Sequence, residues 1–176
     1  MTFNFYGQID VKSIKEKINN LDWDSFDYRQ KNSEGNHAAT KSVPLIFDEN
    51  RKEAIKTNNY QLFEEELTKI SEIFKEKIGD GILFTALLIN LPAGKKIGLH
   101  TDVGENFEQS RRIHIPIQTN EECLFSVEED TRNLKEGEIW EINNTGKNHK
   151  VVNNGNTDRI HLLVDWKSTK KEKSLL

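Results

Sequence analysis

Apolar residues recur along this chain at two different spacings, and the change from one to the other falls near residue 80. Before it the repeat is helical. Val11, Ile14 and Ile18 share one side of a short helix that Asp10 is placed to cap and that should end near Asn20. Leu62, Phe63, Leu67, Ile70, Ile73, Phe74 and Ile78 form the stripe of a longer helix. It begins near Tyr60, with Asn58 or Asn59 as its cap and Gly79 as its stop. A stripe of that kind is a packing face rather than a ligand site. Phe26–Gln30 and Ala38–Phe47 read as further strands whose pairing the sequence does not specify.

After residue 80 the period drops to two. Ile82–Asn90 reads as a strand ended by Pro92-Ala93-Gly94, and Ile97–Asp102 as the next. Arg112–Gln118 alternates strictly, with Ile113, Ile115 and Ile117 on one face and Arg112, His114 and Pro116 on the other. Leu124–Val127 and Glu138–Ile142 follow, with Gly137 in the turn between them. His149–Val152 and Arg159–Trp166 complete the set. The expectation is a mainly β protein with flanking α-helices. It forms a single domain over 1–166, with N-terminal strands and helices in 1–80, a barrel core in 81–166 and a charged tail in 167–176.

Composition narrows the classes of function. A length of 176 residues suits one domain with an ordinary core, and 31% charged residues with a net charge of −4 describe a soluble, slightly acidic chain. That balance argues against general nucleic-acid binding, which needs a basic stripe. Cys123 is the only cysteine, so neither an intrachain disulfide nor a cysteine-rich zinc site is available. The N-terminus lacks a basic segment followed by an apolar run, and the longest apolar run, Ala86–Ile89, is strand-sized. The expectation is a cytoplasmic protein with no membrane partner. Its oligomeric state is not specified.

The chemistry concentrates in a few residues. His100 and Asp102 are two apart and project together from one strand end. His149 follows the loop 143–148 and opens a strand that an antiparallel barrel can bring to them. Two imidazoles and one carboxylate on one face of a metal, with the opposite face open, point to non-haem Fe(II). Catalytic zinc, which also takes three protein ligands, is the rival. Arg159, His161, Leu163 and Asp165 share one face of the last strand. A guanidinium inside a barrel is costly unless an anion meets it, and a bidentate carboxylate suits it. Arg112 and His114 are either a second inward polar cluster or the wet side of the sheet. Tyr28–Gln30 and His37–Ser42 offer a polar lid over the barrel mouth, with Arg29 and His37 as candidate substrate contacts. Trp140 and Trp166 read as core aromatics.

The stretches RRIHIPIQTNEECLFSVEED, LKEGEIWEIN and NHKVVNNGNTDRIHLLVDW, within residues 82–166, resemble the aspartyl/asparaginyl β-hydroxylase family, which counts bacterial free-proline hydroxylases among its relatives. The resemblance implies a double-stranded β-helix (a jelly-roll, cupin-like barrel) and Fe(II)- and 2-oxoglutarate-dependent dioxygenase chemistry with O₂, yielding succinate and CO₂. It implies His100, Asp102 and His149 as iron ligands and Arg159 on the distal carboxylate of 2-oxoglutarate. Arg112 and His114 would contact the carboxylate near the metal. The substrate would be a small molecule or a peptide: an Asp/Asn-type residue or a free amino acid. Animal members are similar but lack a metal-binding carboxylate at the place of Asp102 and carry a membrane anchor and helical repeats. The chain therefore looks more like the compact microbial members. The alternatives are a cupin-like zinc or manganese isomerase or small-molecule binder without 2-oxoglutarate chemistry, and a catalytically silent β-sandwich that binds partners.

Overall fold

A computed structural model describes residues 1–26, 35–104, 108–143 and 145–169. Among the described residues ten strands and two α-helices follow one another. The strands are β1 (Phe3–Gln8), β2 (Lys41–Ile46), β3 (Gly81–Leu91), β4 (Lys96–Thr101) and β5 (Ser110–Gln118). They continue as β6 (Cys123–Val127), β7 (Asp130–Arg132), β8 (Glu138–Ile142), β9 (Asn148–Asn153) and β10 (Arg159–Ser168). The helices are α1 (Lys12–Ile18) and α2 (Glu64–Lys77). Two antiparallel sheets result, a six-stranded one in the order β1-β8-β5-β10-β3-β2 and a four-stranded one in the order β4-β9-β6-β7. They pack face to face in a jelly-roll arrangement.

The two faces of the larger sheet have different jobs. Ile113, Ile115 and Ile117 of β5 and Ile160, Leu162, Val164 and Trp166 of β10 form one core with Val11, which precedes α1, Ile14 and Ile18 of α1, and Leu67, Ile70 and Phe74 of α2. Phe74 is wholly buried there against Trp166, edge to face, with ring centroids 5.4 Å apart. Truncating a side chain so placed costs about 3–5 kcal/mol. The opposite face of the same strands looks into the space between the sheets. Phe3, Leu91, Ile97, Phe125, Val127 and Val151 make a second core there. Because side chains alternate along a strand, the isoleucine face that holds the helices puts Arg112, His114, Arg159, His161 and Asp165 inside the sandwich.

Several expected boundaries shift for identifiable reasons. The second helix opens as a 3₁₀ segment over Asn58–Phe63, capped by Thr57, whose Oγ1 accepts the Asn59 N–H at 3.3 Å; neither asparagine is the cap. A 3₁₀ turn has three residues per turn, so Leu62 rotates off the stripe and is exposed. Asp10 does serve the first helix, accepting the Lys12 N–H at 2.8 Å, while Val11 holds the cap position. Ala38–Phe47 contains β2, which pairs with β3, so Lys41 and Ser42 belong to a strand rather than to a lid. Phe26 is described and lies outside any strand, and the remainder of its expected strand falls outside the described residues. β10 continues through Lys167 and Ser168, past the expected end of the domain, pairing them with Ile82 and Gly81. Gly137 turns the chain into β8 with a positive φ of 77°, and a Cβ there would stand 2.3 Å from the Ile9 carbonyl. Trp166 is buried, whereas Trp140 is half-buried and packs against Phe3 and Phe5.

Candidate metal and cosubstrate site

β4 and β9 are paired in the smaller sheet, and their register sets His100 directly opposite His149. The two rings lie 4.1 Å apart, centroid to centroid. A register shift between Ile97 and His100 bends β4 just before the histidine, the kind of irregularity that re-aims a side chain beside a site. Asp102 follows the end of β4. Its carbonyl accepts the Gly146 N–H at 2.9 Å, which fixes its backbone against the loop leading to His149.

The side chains converge. His100 Nε2 lies 3.8 Å from Asp102 Oδ1, and His149 Nε2 lies 3.6 Å from Asp102 Oδ2. Those distances are too long for hydrogen bonds. His100 Nδ1 is 2.8 Å from the Gly98 carbonyl and His149 Nδ1 is 3.0 Å from the Lys147 carbonyl. If each Nδ1–H donates to its carbonyl, both Nε2 lone pairs aim at the carboxylate. Burial pushes the His149 imidazolium pKa below its ordinary value, so the ring is neutral at neutral pH. A neutral imidazole with a backbone-fixed Nδ1–H is what metal ligation requires. His100 Nε2 is buried with no hydrogen-bond partner, an arrangement that a cation would satisfy. These residues therefore fit a divalent metal.

A third histidine stands in the same place. The ligand atoms of His37, His100 and Asp102 all lie within 4.8 Å of one another. The His37 ring meets that of His100 edge to face at 4.6 Å. Arg29, the other expected substrate contact, lies outside the described residues, as does the Tyr28–Gln30 part of the expected lid.

Arg112 and Arg159 both face inward, in different company. Arg112 Nη1 donates to Asp102 Oδ2 at 2.5 Å, while its Nε and Nη2 donate to the two carboxylate oxygens of Asp165 at 2.9 and 3.2 Å. Burial disfavours its charge, but Asp165 and Asp102 more than offset that and raise its pKa above the ordinary value. The same contact acts on Asp102: burial raises its pKa, and Arg112, His149 and His100 bring it below the ordinary carboxylate value. Arg159 is 2% exposed, and among the described residues no carboxylate lies within ion-pair distance of it. Its Nη2 is 2.8 Å from His161 Nδ1, its Cζ lies 5.9 Å from the Phe125 ring centre, and the Cys123 thiol is beside it. Burial lowers its pKa to about 10. His161 is held neutral, well below its ordinary value, by burial and by the neighbouring Arg159. His114 lies between, its ring 5.3 Å from that of Phe125 and 5.8 Å from that of His161.

A cavity of about 470 Å³ joins these groups; His37, His100, Asp102, Arg112, His114, His149 and Arg159 all line it. Leu87, Ile89, Ile97, Val151 and Leu163 supply much of its apolar wall, and Phe47 and Arg51 also line it. A space of that size with a few convergent polar groups suits a small-molecule ligand. Asp165 is the site residue that sequence reasoning passed over. Its signal was present, since a carboxylate on a buried strand face needs a cation, and Arg112 sits opposite it in the β5–β10 register. Arg51 and Phe47 carry no sequence signal of their own.

Residues 9–169 match the family model described as aspartyl/asparaginyl beta-hydroxylase. The chain belongs to this family. No curated protein matches it. Among solved structures it is similar to a viral collagen prolyl hydroxylase from Paramecium bursaria Chlorella virus-1, with a TM-score of 0.60, 9% identity and coverage of 96% of this chain and 97% of that one. A prolyl-4-hydroxylase from Pseudomonas putida aligns with a TM-score of 0.55 at 8% identity, over 96% and 94% of the two chains. A 2OG-Fe(II) oxygenase family oxidoreductase from Burkholderia pseudomallei aligns with a TM-score of 0.58 at 12% identity, over 73% of this chain and 66% of that one. At such identities the likeness shows the fold, which this member of the β-hydroxylase family shares with 2-oxoglutarate–Fe(II) oxygenases. Among the described residues no helix is long and apolar enough to cross a membrane.

Proposed function

We propose that this β-hydroxylase-family chain is an Fe(II)- and 2-oxoglutarate-dependent dioxygenase that hydroxylates an unactivated C–H bond of an amino acid. The substrate is an Asp/Asn-type residue in a peptide or a free amino acid. The observation that carries this reading is Arg159: a buried guanidinium, without a carboxylate among the described residues, in the same cavity as His100, Asp102 and His149. A dicarboxylate anchored there supplies the missing counter-charge and reaches toward the metal-binding cluster.

Iron and 2-oxoglutarate, when bound, supply the oxidation: one atom of O₂ goes into succinate as CO₂ is released, and the other into the substrate C–H bond. The protein contributes position and exclusion of water. His100, Asp102 and His149 hold the metal through Nε2 and carboxylate oxygens. Arg159 fixes the far carboxylate of the cosubstrate, and the neutral Nδ1 of His161 orients that guanidinium. His114 faces the near carboxylate. Arg112, already engaged by Asp102 and Asp165, acts first by holding Asp102 charged and in place. The apolar wall of Leu87, Ile89, Ile97, Val151 and Leu163 excludes solvent from the reacting centre.

Purified protein supplied with Fe(II), ascorbate and 2-oxoglutarate is expected to release succinate, and more of it when the right amino acid or peptide is present. A screen of free amino acids and of short Asp-, Asn- and Pro-containing peptides finds that substrate. His100→Ala and His149→Ala are each expected to abolish release. Metal-loaded wild-type protein that yields no succinate with any member of the screen would sink the reading.

A further inference from the structure

We propose that Arg51 receives a carboxylate of the substrate at the metal end of the cavity, and so selects an acid over its neutral amide. The proposal rests on the oxygenase reading above and narrows its substrate to a carboxylate, either the α-carboxylate of a free amino acid or the side chain of a peptide aspartate.

Register places the residue. β2 runs beside β3, and β3 beside β10. Lys41, at the start of β2, is level with Asn90 and through it with Ile160, next to Arg159. Ile46, at the other end, is level with Ala86 and through it with Val164. The chain thus leaves the sheet next to the level of Asp165, whose carboxylate holds Arg112 and through it Asp102. The loop after β2 therefore belongs to the metal end of the site, with the length of β2 between it and the cosubstrate anchor. Phe47 and Arg51 of this loop both line the cavity. Phe47 packs against Leu87, Ile89 and Leu163, so the same loop brings a cation and an apolar surface.

The loop is built to hold its arginine. Its base is closed where the Phe47 N–H donates to the Ile55 carbonyl at 2.8 Å and the Thr57 N–H to the Leu45 carbonyl at 3.0 Å. Within it the Asp48 carboxylate accepts the N–H groups of Asn50, Lys52 and Glu53 at 3.0, 2.8 and 3.2 Å. The Asp48 carbonyl accepts that of Arg51 at 3.0 Å. Arg51 sits at a φ of 52°, in the left-handed region that strains every side chain and suits glycine. Glycine would make the same turn at lower cost, so what arginine adds there is its side chain.

Charge assigns that side chain a task. Among the described residues Arg51, Arg112 and Arg159 are the guanidiniums that line the cavity. With a divalent ion and dianionic 2-oxoglutarate in place, those two charges cancel. Asp102 and Asp165 then balance Arg112 and Arg159, and Arg51 leaves the loaded site positive. A substrate carboxylate neutralises it, whereas an amide does not, and a guanidinium grips a carboxylate with two parallel donors. Arg112 serves two carboxylates at once, so a contact within the loop does not exhaust the donors of Arg51.

Calorimetric titration of the full chain, loaded with Co(II) and 2-oxoglutarate, provides the test. The probes are the common free amino acids, each against its α-amide, and end-blocked tripeptides centred on Asp, each against its Asn counterpart. Wild-type protein is expected to bind the acid of at least one such pair about tenfold or more tightly than the amide. The set to which that pair belongs tells the α-carboxylate from the aspartyl side chain. Arg51→Gly, which relaxes the backbone, is expected to unfold within a few degrees of wild type and to bind 2-oxoglutarate as wild type does. It should nevertheless lose the preference by weakening the acid alone, and Arg51→Lys should keep part of it. Wild-type protein that binds no acid of either set, or holds acid and amide equally, would overturn the proposal. So would a preference that survives in Arg51→Gly, or an equal weakening of acid and amide there, the mark of a loop that only shapes the cavity. Wild-type protein that binds Co(II) but not 2-oxoglutarate would instead overturn the oxygenase reading, with the same pairs on the metal-loaded protein still deciding the role of Arg51.

Discussion

At one end of the cavity Arg112 directs its donors to two carboxylates; at the other Arg159 meets a histidine nitrogen, a thiol and an aromatic ring. Both guanidiniums are buried, and both belong to the same three-residue phrase, Arg-Ile-His, on adjacent strands of one sheet. The surroundings push them in opposite directions. Asp165 and Asp102 outweigh burial and stabilise the cation of Arg112, while burial lowers the pKa of Arg159 to about 10. A buried charge that is fully paired belongs to the framework. One that is left with neutral neighbours calls for an anion from outside. The pair thus separates the part of the site that the fold completes by itself from the part completed on binding.

The same substitution at both positions tests that division most severely. Arg112→Met leaves Asp102 and Asp165 buried without their cation, and is expected to lower the unfolding free energy by about 3–5 kcal/mol in urea titrations. Changing Asp165 to Leu in that background should recover part of the loss. Arg159→Met removes a cation that has no carboxylate partner among the described residues. Its unfolding free energy is expected to stay level or rise by about 1–2 kcal/mol. Equal destabilisation by the two single variants would break the comparison.

The second difference lies in ligand response. In metal-loaded wild-type protein, 2-oxoglutarate at a hundred times its dissociation constant should stabilise the fold by about 2.7 kcal/mol, read as a rise in Tm. Arg159→Met should abolish that rise, and Arg159→Lys should restore part of it, since a point charge lacks the bidentate fork. A full thermal shift in Arg159→Met would place the dicarboxylate elsewhere.

The smallest effect is the pH dependence at the Arg159 end. Burial and Arg159 hold His161 neutral far below its ordinary value of 6.5. Above pH 6.5 the ring is neutral in both folded and unfolded chains and contributes no slope. Below it the unfolded chain takes up a proton that the folded one refuses, so stability falls as pH falls, by up to about 1.4 kcal/mol per pH unit. His161→Gln is expected to flatten the part of the slope due to this residue between pH 6.5 and 5, as followed by denaturant titration at several pH values. An unchanged slope would show that His161 takes up its proton in the folded state.

Much of this arrangement can be read along the chain because it is periodic. Strict alternation over Arg112–Gln118 and over β10 separates the faces correctly, and the isoleucines do pack against the helices. Convergence is harder to read. That Asp165 neutralises Arg112 depends on the register between strands about fifty residues apart, which no local pattern encodes. β7, written Asp-Thr-Arg, has no apolar position to reveal it, and β1, with its glycine and bulge at the edge of the larger sheet, has too little alternation. His37 lies in a turn, where no period operates. Its place beside His100 depends on the Gly98 N–H donated to the neighbouring Asn36 carbonyl, a contact that only the folded chain brings together.

β10 spans the site like a graduated rod. Arg159 stands near one end and Asp165 six residues further along, about 20 Å at the rise of an extended chain. Adding or deleting one residue between them would invert every later side chain, turning Trp166 toward the cavity and Asp165 toward the helices. The spacing between Arg159 and the carboxylate that pairs with Arg112 therefore cannot drift by single steps without unseating the helices as well. Diversification of what such a scaffold accepts is left to the rim, where the turns bearing His37 and Arg51 can change length or composition while the rod keeps its scale.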